Sequence, residues 1–178
     1  MELPKNYEWL ANEAGPKMLI EALKLLGVVE GENEANNPVI LGWAKEVGGE
    51  IAAYYKADAT PWCGLFMSII AKRSGKDLVK APLRALSWVA FGDLVKEPML
   101  GDVMVFALTK GSHVGLYVGE DAKSYHILGG NQSDKVCITR FDKKSLYAAQ
   151  RPKYTVAPTN IRKIMLANTG AVVAVNTR

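Results

Sequence analysis

The hydrophobic period of the chain changes once, near Gly101, and that change limits the fold more than any other feature. Before it, apolar residues recur every three or four positions, the spacing of helices with one buried face. In "GPKMLIEALKLLG", Pro16 stands near a helix start, Leu19, Ala22, Leu23 and Leu26 form a stripe, and Gly27 marks the stop. "NNPVILGWAKEVGG" repeats the grammar: Asn37 as cap, Pro38 in the first turn, Val39, Ile40, Trp43 and Val47 at helical spacing, then two glycines. "TPWCGLFMSIIAKRSG" does so again, with Thr60 as cap, Pro61 at the first helical position, Cys63 at the third and Gly75 closing. A short helix is expected around "LRALSWVAF". After Gly101 the period is two. "DVMVFAL", "HVGLYVGE", "SYHIL" and "KVCITRF" are rich in β-branched and aromatic residues, "TKGS" and "EDAK" are turn-like, and "YAAQRP" reads as a last strand. Helices followed by an antiparallel meander give an α+β layout.

This pattern runs through residues 1–152, and 178 residues suffice for one domain with a real core. Residues 153–178 break from it. Their apolar part, "IMLANTGAVVAV", is too short to span a bilayer; the expectation is a tail or an extension docked on its own domain as helix or strand, with an oligomer contact or a surface-seeking segment as the alternatives. No apolar run elsewhere is long enough for a membrane span. The start, "MELPKNYEWL", lacks a basic segment followed by an apolar one, so no cleavable signal is expected. Two cysteines do not make a disulfide framework. Charge is split: residues 1–60 carry −5 and residues 61–178 carry +9. A basic half suits an anionic partner such as a cell-wall polymer, nucleic acid or a lipid surface. Nucleic acid is disfavoured, because the clustered aromatic and arginine pattern of such a platform is missing. There is no phosphate-cradling glycine loop and no zinc-ligand spacing, so neither a cofactor nor a metal is expected, and the chain is expected to be a monomer.

Cys63 is the candidate nucleophile. A thiol attacks as thiolate, and a helix N-terminus lowers its pKa while offering N–H groups to a developing oxyanion. The candidate base is His113, which opens a strand after a glycine turn; His126, inside "SYHIL", reads as a partly exposed strand residue. A hairpin across residues 120–123 sets His113 opposite about Gly130 and His126 opposite about Tyr117, and brings "GGNQ" to the first imidazole. Either amide there can accept from a ring N–H. A four-residue turn favours Gln132 and a one-residue bulge favours Asn131; Asn131 is the choice, since a glycine pair invites a bulge. Trp62, Asp58, Tyr117 and Trp88 are candidates to line a substrate groove, Cys137 reads as strand filler and Asp102 as a turn residue.

The order Cys, His, Asn is the papain-like order of parts. "TPWCGLF", "GDVMVF", "SHVGLYVGE", "ILGGNQSDKV" and the closing "RP" also resemble phage and prophage cell-wall hydrolases of the CHAP and NlpC/P60 group, from about Tyr7 to Pro152. That resemblance implies a papain-like fold with Cys63 as nucleophile, His113 as base and an orienting residue of the Asn131 type. It implies an endolysin-like enzyme that cuts an amide bond of peptidoglycan, as endopeptidase or N-acetylmuramoyl-L-alanine amidase, made in the host cytoplasm or carried on a virion. Two departures stand out: amides replace the acidic or second histidine residue of many relatives, and no wall-binding repeat follows residue 152. The alternatives are an inactive wall-binding or virion structural protein of the same fold, and a cysteine amidase or peptidase with another substrate.

Overall fold

The computed structural model describes residues 3–32 and 35–175 of the chain, which form a mixed α+β fold with several helices and a largely antiparallel sheet. A 3-10 segment, Lys5–Asn12, leads to α1 (Lys17–Lys24), α2 (Pro38–Val47), α3 (Gly49–Tyr54) and α4 (Cys63–Arg73), and a second 3-10 segment covers Ala85–Ala90. The strands are β1 (Asp93–Leu94), β2 (Val103–Ala107), β3 (Ser112–Glu120), β4 (Ser124–Gly129), β5 (Cys137–Asp142), β6 (Leu146–Arg151), β7 (Ile164–Leu166) and β8 (Val172–Val175). Along the sheet the order is β1-β6-β2-β3-β4-β5.

Local chemistry accounts for much of this. At α2 the Asn37 side chain accepts from Val39 N at 2.8 Å, Pro38 occupies the first turn, and Gly48 leaves the helix at φ +84°. α4 is the central helix. Its residues Cys63 to Ala71 are all buried, between α1, α2 and strands β3 and β4, as an all-round apolar helix must be. The helix side of the sheet contributes Val103, Val105, Val114, Leu116, Val118 and Leu128 to the main core. The alternate residues Met104, Phe106, Tyr117, Ile127 and Ala149 form a smaller cluster on the other face.

The β3–β4 hairpin departs from the expected register. Asp121 Oδ1 accepts from Lys123 N at 2.8 Å and Ser124 N at 3.0 Å, so the turn closes one residue later than composition suggests, with Glu120 opposite Tyr125. His126 therefore faces Gly119 rather than Tyr117, and an irregularity between Tyr117 and Gly119 then shifts the ladder. Paired residues end at Leu116 and Leu128, short of His113.

The C-terminal extension docks as strand. β7 pairs in parallel with β3 at Glu120–Met165 and antiparallel with β8, and Ile164 and Leu166 enter the main core. Arg162 grips Glu13 through two N–H···O bonds of 2.6 and 3.1 Å, and Asn160 adds a third to the same carboxylate. Residues 176–178 of the expected extension lie outside the described residues. Among those described, no helix is long and apolar enough to cross a membrane.

Candidate active site

Cys63 is the first residue of α4, not the third. The residue before it, Trp62, sits outside the helix at φ −118°, ψ 15°, and no side chain caps the start. Its fully buried indole packs on Trp43 at 5.9 Å and donates to Glu30 Oε2 at 2.9 Å. That anchoring overrides the Thr60–Pro61 signal; the Thr60 carbonyl instead accepts from the Tyr55 hydroxyl at 2.9 Å. The first i to i−4 bond of the helix runs from Phe66 N to Trp62 O, so the N–H groups of residues 63–65 have no partner within the helix. The thiol exploits two of them. Burial pushes its pKa up, and hydrogen bonds from the backbone N–H groups of Val114, Gly64 and Cys63 itself oppose that rise without cancelling it. With 7% of its surface exposed, Cys63 rests as a neutral thiol.

Val114 follows His113 in β3, so the sulfur lies against the peptide that carries the imidazole. His113 projects on the opposite side of that strand. It pairs with Phe106 across β2 and stacks on Phe141 of β5, with ring centroids 4.9 Å apart and planes 9° apart. Its Nε2 meets Gln132 Oε1 at 3.0 Å. Gln132 Nε2 donates to Cys137 O at 2.6 Å and Ile127 O at 3.2 Å, which fixes the amide with its oxygen toward the ring. The imidazole must then carry its proton on Nε2, leaving the lone pair on Nδ1. Burial pulls the His113 pKa down to about 4, against the Gln132 bond. The thiol and imidazole thus flank one peptide bond as a neutral pair, and the sulfur's hydrogen bonds come from backbone amides rather than from the ring.

The amide that reaches the imidazole is Gln132, in place of the expected Asn131. Asn131, Ser133 and Asp134 all take positive φ (56°, 53° and 59°), and this reversal swings Gln132 inward while Asn131 stays half-buried without a bond to the ring. Gln132 N also donates to Lys135 O at 3.0 Å, closing the loop. The glycines are spatial necessities. A Cβ on Gly129 would meet Gln132 Oε1 at 2.7 Å and His113 Nε2 at 3.0 Å, and one on Gly130 would meet Trp62 at 2.7 Å.

None of the four expected groove residues lines an open cleft. Trp62, Trp88 and Tyr117 are fully buried. Trp88 Nε1 donates to Pro82 O at 2.9 Å, and the Tyr117 hydroxyl donates to Glu120 Oε2 at 3.0 Å on the helix-distal face. Asp58 Oδ2 accepts from Gly31 N and Asn37 N, each at 2.7 Å, and so organises the loop that carries Glu30 to Trp62. His126, expected to be partly exposed, is fully buried between the Tyr7 hydroxyl at 2.7 Å and Asp121 Oδ2 at 2.9 Å, and Arg140 completes the chain on Asp121 at 2.7 Å. Asp102 holds Arg151 through bonds of 3.0 and 2.8 Å and caps the turn at Met99 N. Cys137 is half-buried behind Gln132, its Sγ 3.3 Å from Gln132 O.

Phe141 and Glu30 escaped the sequence reading. The pairing of Tyr125 with Phe141 across β4 and β5 was the available signal for Phe141, since it puts that ring on the face of Phe106 and His113. Among the described residues no group of three His, Cys, Asp or Glu side chains converges as metal ligands would. No known protein family matches the chain, and no curated protein matches it either.

Proposed function

We propose that the protein is a cysteine hydrolase of papain-like fold that cleaves an amide bond in the peptide part of bacterial peptidoglycan, as an endopeptidase or an N-acetylmuramoyl-L-alanine amidase. One observation supports the catalytic part: the thiol that starts α4 lies against the backbone of β3 at Val114, the residue after His113, whose tautomer a buried amide sets. In the proposed step the His113 ring turns from the Phe141 side of β3 toward the sulfur, and its Nδ1 takes the proton of the Cys63 thiol as the sulfur attacks the amide carbonyl. Because burial holds both groups neutral, proton transfer accompanies attack instead of preceding it. The backbone N–H groups at the start of α4 take the oxyanion. The imidazolium returns its proton to the leaving amine, the C–N bond breaks and a thioester remains. Water, deprotonated by His113, then releases the acid and regenerates the thiol.

The wall substrate rests on the motif resemblance and on the +9 charge of residues 61–178, which suits an anionic envelope. An endolysin or a virion-borne lysin is the corresponding biological setting. The elevated thiol pKa favours one further reading, a fold kept for binding the wall without turnover. Incubating purified sacculi with the wild-type protein and with Cys63→Ala, then identifying soluble fragments by mass spectrometry, tests both. An enzyme releases fragments with new termini only with Cys63 present. Equal, fragment-free binding by both proteins would establish the binding reading instead.

A further inference from the structure

A cavity of about 270 Å³ lies at the opposite end of α4 from the candidate nucleophile. Cys63 starts that helix and Ser74 closes it, so the two are about 16 Å apart at 1.5 Å per residue. Lys17 and Met18 wall the cavity at the start of α1, Ser74 and Lys76 after α4, and Tyr154 and Thr155 where the C-terminal extension begins. None of these residues takes part in the candidate active site.

Three features of the wall call for an anion. The first is the start of α1, which follows Pro16 without a side-chain cap, has no acidic residue in its first turn and carries Lys17 at its first position. Its first i to i−4 bond runs from Ile20 N to Pro16 O at 3.1 Å, so the N–H groups of residues 17–19 have no partner within the helix. The positive end of the helix dipole is reinforced instead of compensated. The second is a pair of orphaned hydroxyls. Ser74 is 9% exposed, and its buried Oγ has no hydrogen-bond partner among the described residues. The Tyr154 hydroxyl is buried and unpartnered in the same way. Native folds seldom keep such a group, and two at one cavity indicate a missing acceptor. Only a methylene separates the Ser74 hydroxyl from the backbone, so one χ1 step carries it across the wall that Ser74 forms. Burial pushes the Tyr154 pKa up, which keeps the phenol a donor. The third is the Lys76 ammonium, held over the Tyr154 ring 4.9 Å from its centroid.

The groups that would repel an anion here are already engaged. At the end of α4, Ile70 O and Ala71 O accept from Ser74 N, and Lys72 O accepts from Gly75 N. Asp102, the carboxylate nearest in effect to Tyr154, is held by Arg151 through bonds of 3.0 and 2.8 Å. We propose that this cavity binds a phosphate group, through the N–H groups of Lys17 and Met18, the hydroxyls of Ser74 and Tyr154 and the Lys76 ammonium. Donors alone select a ligand that only accepts, and their arrival from three separate elements suits a tetrahedral oxyanion better than a planar carboxylate. The volume is close to the lower end for ligand pockets, about 300 Å³, and leaves room for a short ester substituent. The site stands independently of the hydrolase reading.

The test titrates the 15N-labelled full chain, at constant ionic strength, with inorganic phosphate, glycerol 3-phosphate and acetate. Saturable shifts of the Lys17, Met18 and Gly75 amides are expected with phosphate at millimolar affinity or tighter, together with a Tm that rises with phosphate concentration. Saturation by glycerol 3-phosphate assigns the site to a phosphate ester; saturation by inorganic phosphate alone assigns it to the free ion. Ser74→Ala and Tyr154→Phe separate a ligand role from a structural one. Each removes a hydroxyl that has no partner in the free protein, so the Tm without phosphate should hold or rise. Phosphate affinity should fall about tenfold in each, the worth of one hydrogen bond to a charged group. The site is overturned by any of four results: no saturation below about 10 mM phosphate, acetate binding as tightly as phosphate, affinity unchanged in both variants, or a lower Tm of either variant in phosphate-free buffer.

Discussion

Gln132→Ala is the most informative perturbation, because the residue links stability to proton placement. The substitution removes an acceptor 3.0 Å from His113 Nε2 and donors to Cys137 O and Ile127 O. His113 is 6% exposed and Gln132 5%, so solvent does not replace these bonds freely. A buried polar group left unsatisfied costs about 1–3 kcal/mol. Three such groups, with one water entering the vacated space to serve part of the set, give a loss of roughly 2–4 kcal/mol. For a chain of this length that is a fall in Tm of roughly 4–16 °C. The catalytic effect is distinct. Without Gln132 the ring proton is free to sit on Nδ1, the nitrogen required to be basic, and losing the preference of one buried hydrogen bond lowers kcat about 10- to 100-fold below the melting range. Gln132→Glu separates the effects. It keeps the acceptor but places a carboxylate beside the ring, which raises the imidazole pKa, while its oxygens repel the carbonyls of Cys137 and Ile127. The assay is release of soluble fragments from sacculi, with thermal unfolding in parallel and Asn131→Gly as control. The glycine removes the neighbouring amide at a φ of +56° that glycine tolerates, so near wild-type rates are expected. If Asn131→Gly abolishes turnover while Gln132→Ala stays within about twofold of wild type at equal folded fraction, the assignment of the orienting amide is wrong.

The two site titrations make opposite-sided predictions. With its pKa raised by burial, Cys63 should react with iodoacetamide at a rate that climbs about tenfold per pH unit from pH 7 to 9. Peptide mass mapping distinguishes it from Cys137, and a rate plateau below pH 7 would reveal a resting thiolate–imidazolium pair instead. His113 has a folded pKa of about 4 against 6.5 for the free side chain, so the unfolded chain binds the extra proton first as pH falls. Its contribution is intact above pH 6.5 and is lost progressively down to pH 4, by up to about 3 kcal/mol, and the difference in urea midpoint between wild type and His113→Gln should show that slope. Phe141→Leu removes the ring stacked on His113 and admits water to one imidazole face. It should cost about 1–2 kcal/mol and move the His113 titration, followed by the NMR shift of its Cε1 proton, up from pH 4; an unmoved titration would show that Phe141 does not set the imidazole's environment.

How much of this was legible follows from where each determinant lies along the chain. The α2 cap needs only Asn37, Pro38 and Val39, three consecutive residues, and it forms as their order indicates. The start of α4 has the same local signal and still begins later, because Trp62 is claimed by Trp43, Glu30 and Gly130. Trp62, Trp88 and Tyr117 look like groove residues by type, yet each polar atom finds a partner inside the fold: Glu30 for Trp62, Pro82 O for Trp88 and Glu120 for Tyr117. Strands β2 to β6 were readable by alternation, but β1, β7 and β8 were not; β7 is a three-residue strand whose parallel pairing to β3 depends on a core already assembled. The candidate site combines both kinds of determinant. Its candidate nucleophile sits where local grammar puts a helix end, so its place in the helix could be read to within two positions. Its orienting amide depends on hairpin parity, which the irregularity between Tyr117 and Gly119 changes, and on the loop after β4, where positive φ at Asn131, Ser133 and Asp134 turns Gln132 inward. A one-residue error in strand register exchanges Asn131 for Gln132 while leaving every strand intact. In this protein, therefore, the candidate nucleophile is placed by local grammar, whereas the amide that sets the His113 proton is placed by the loop that follows β4.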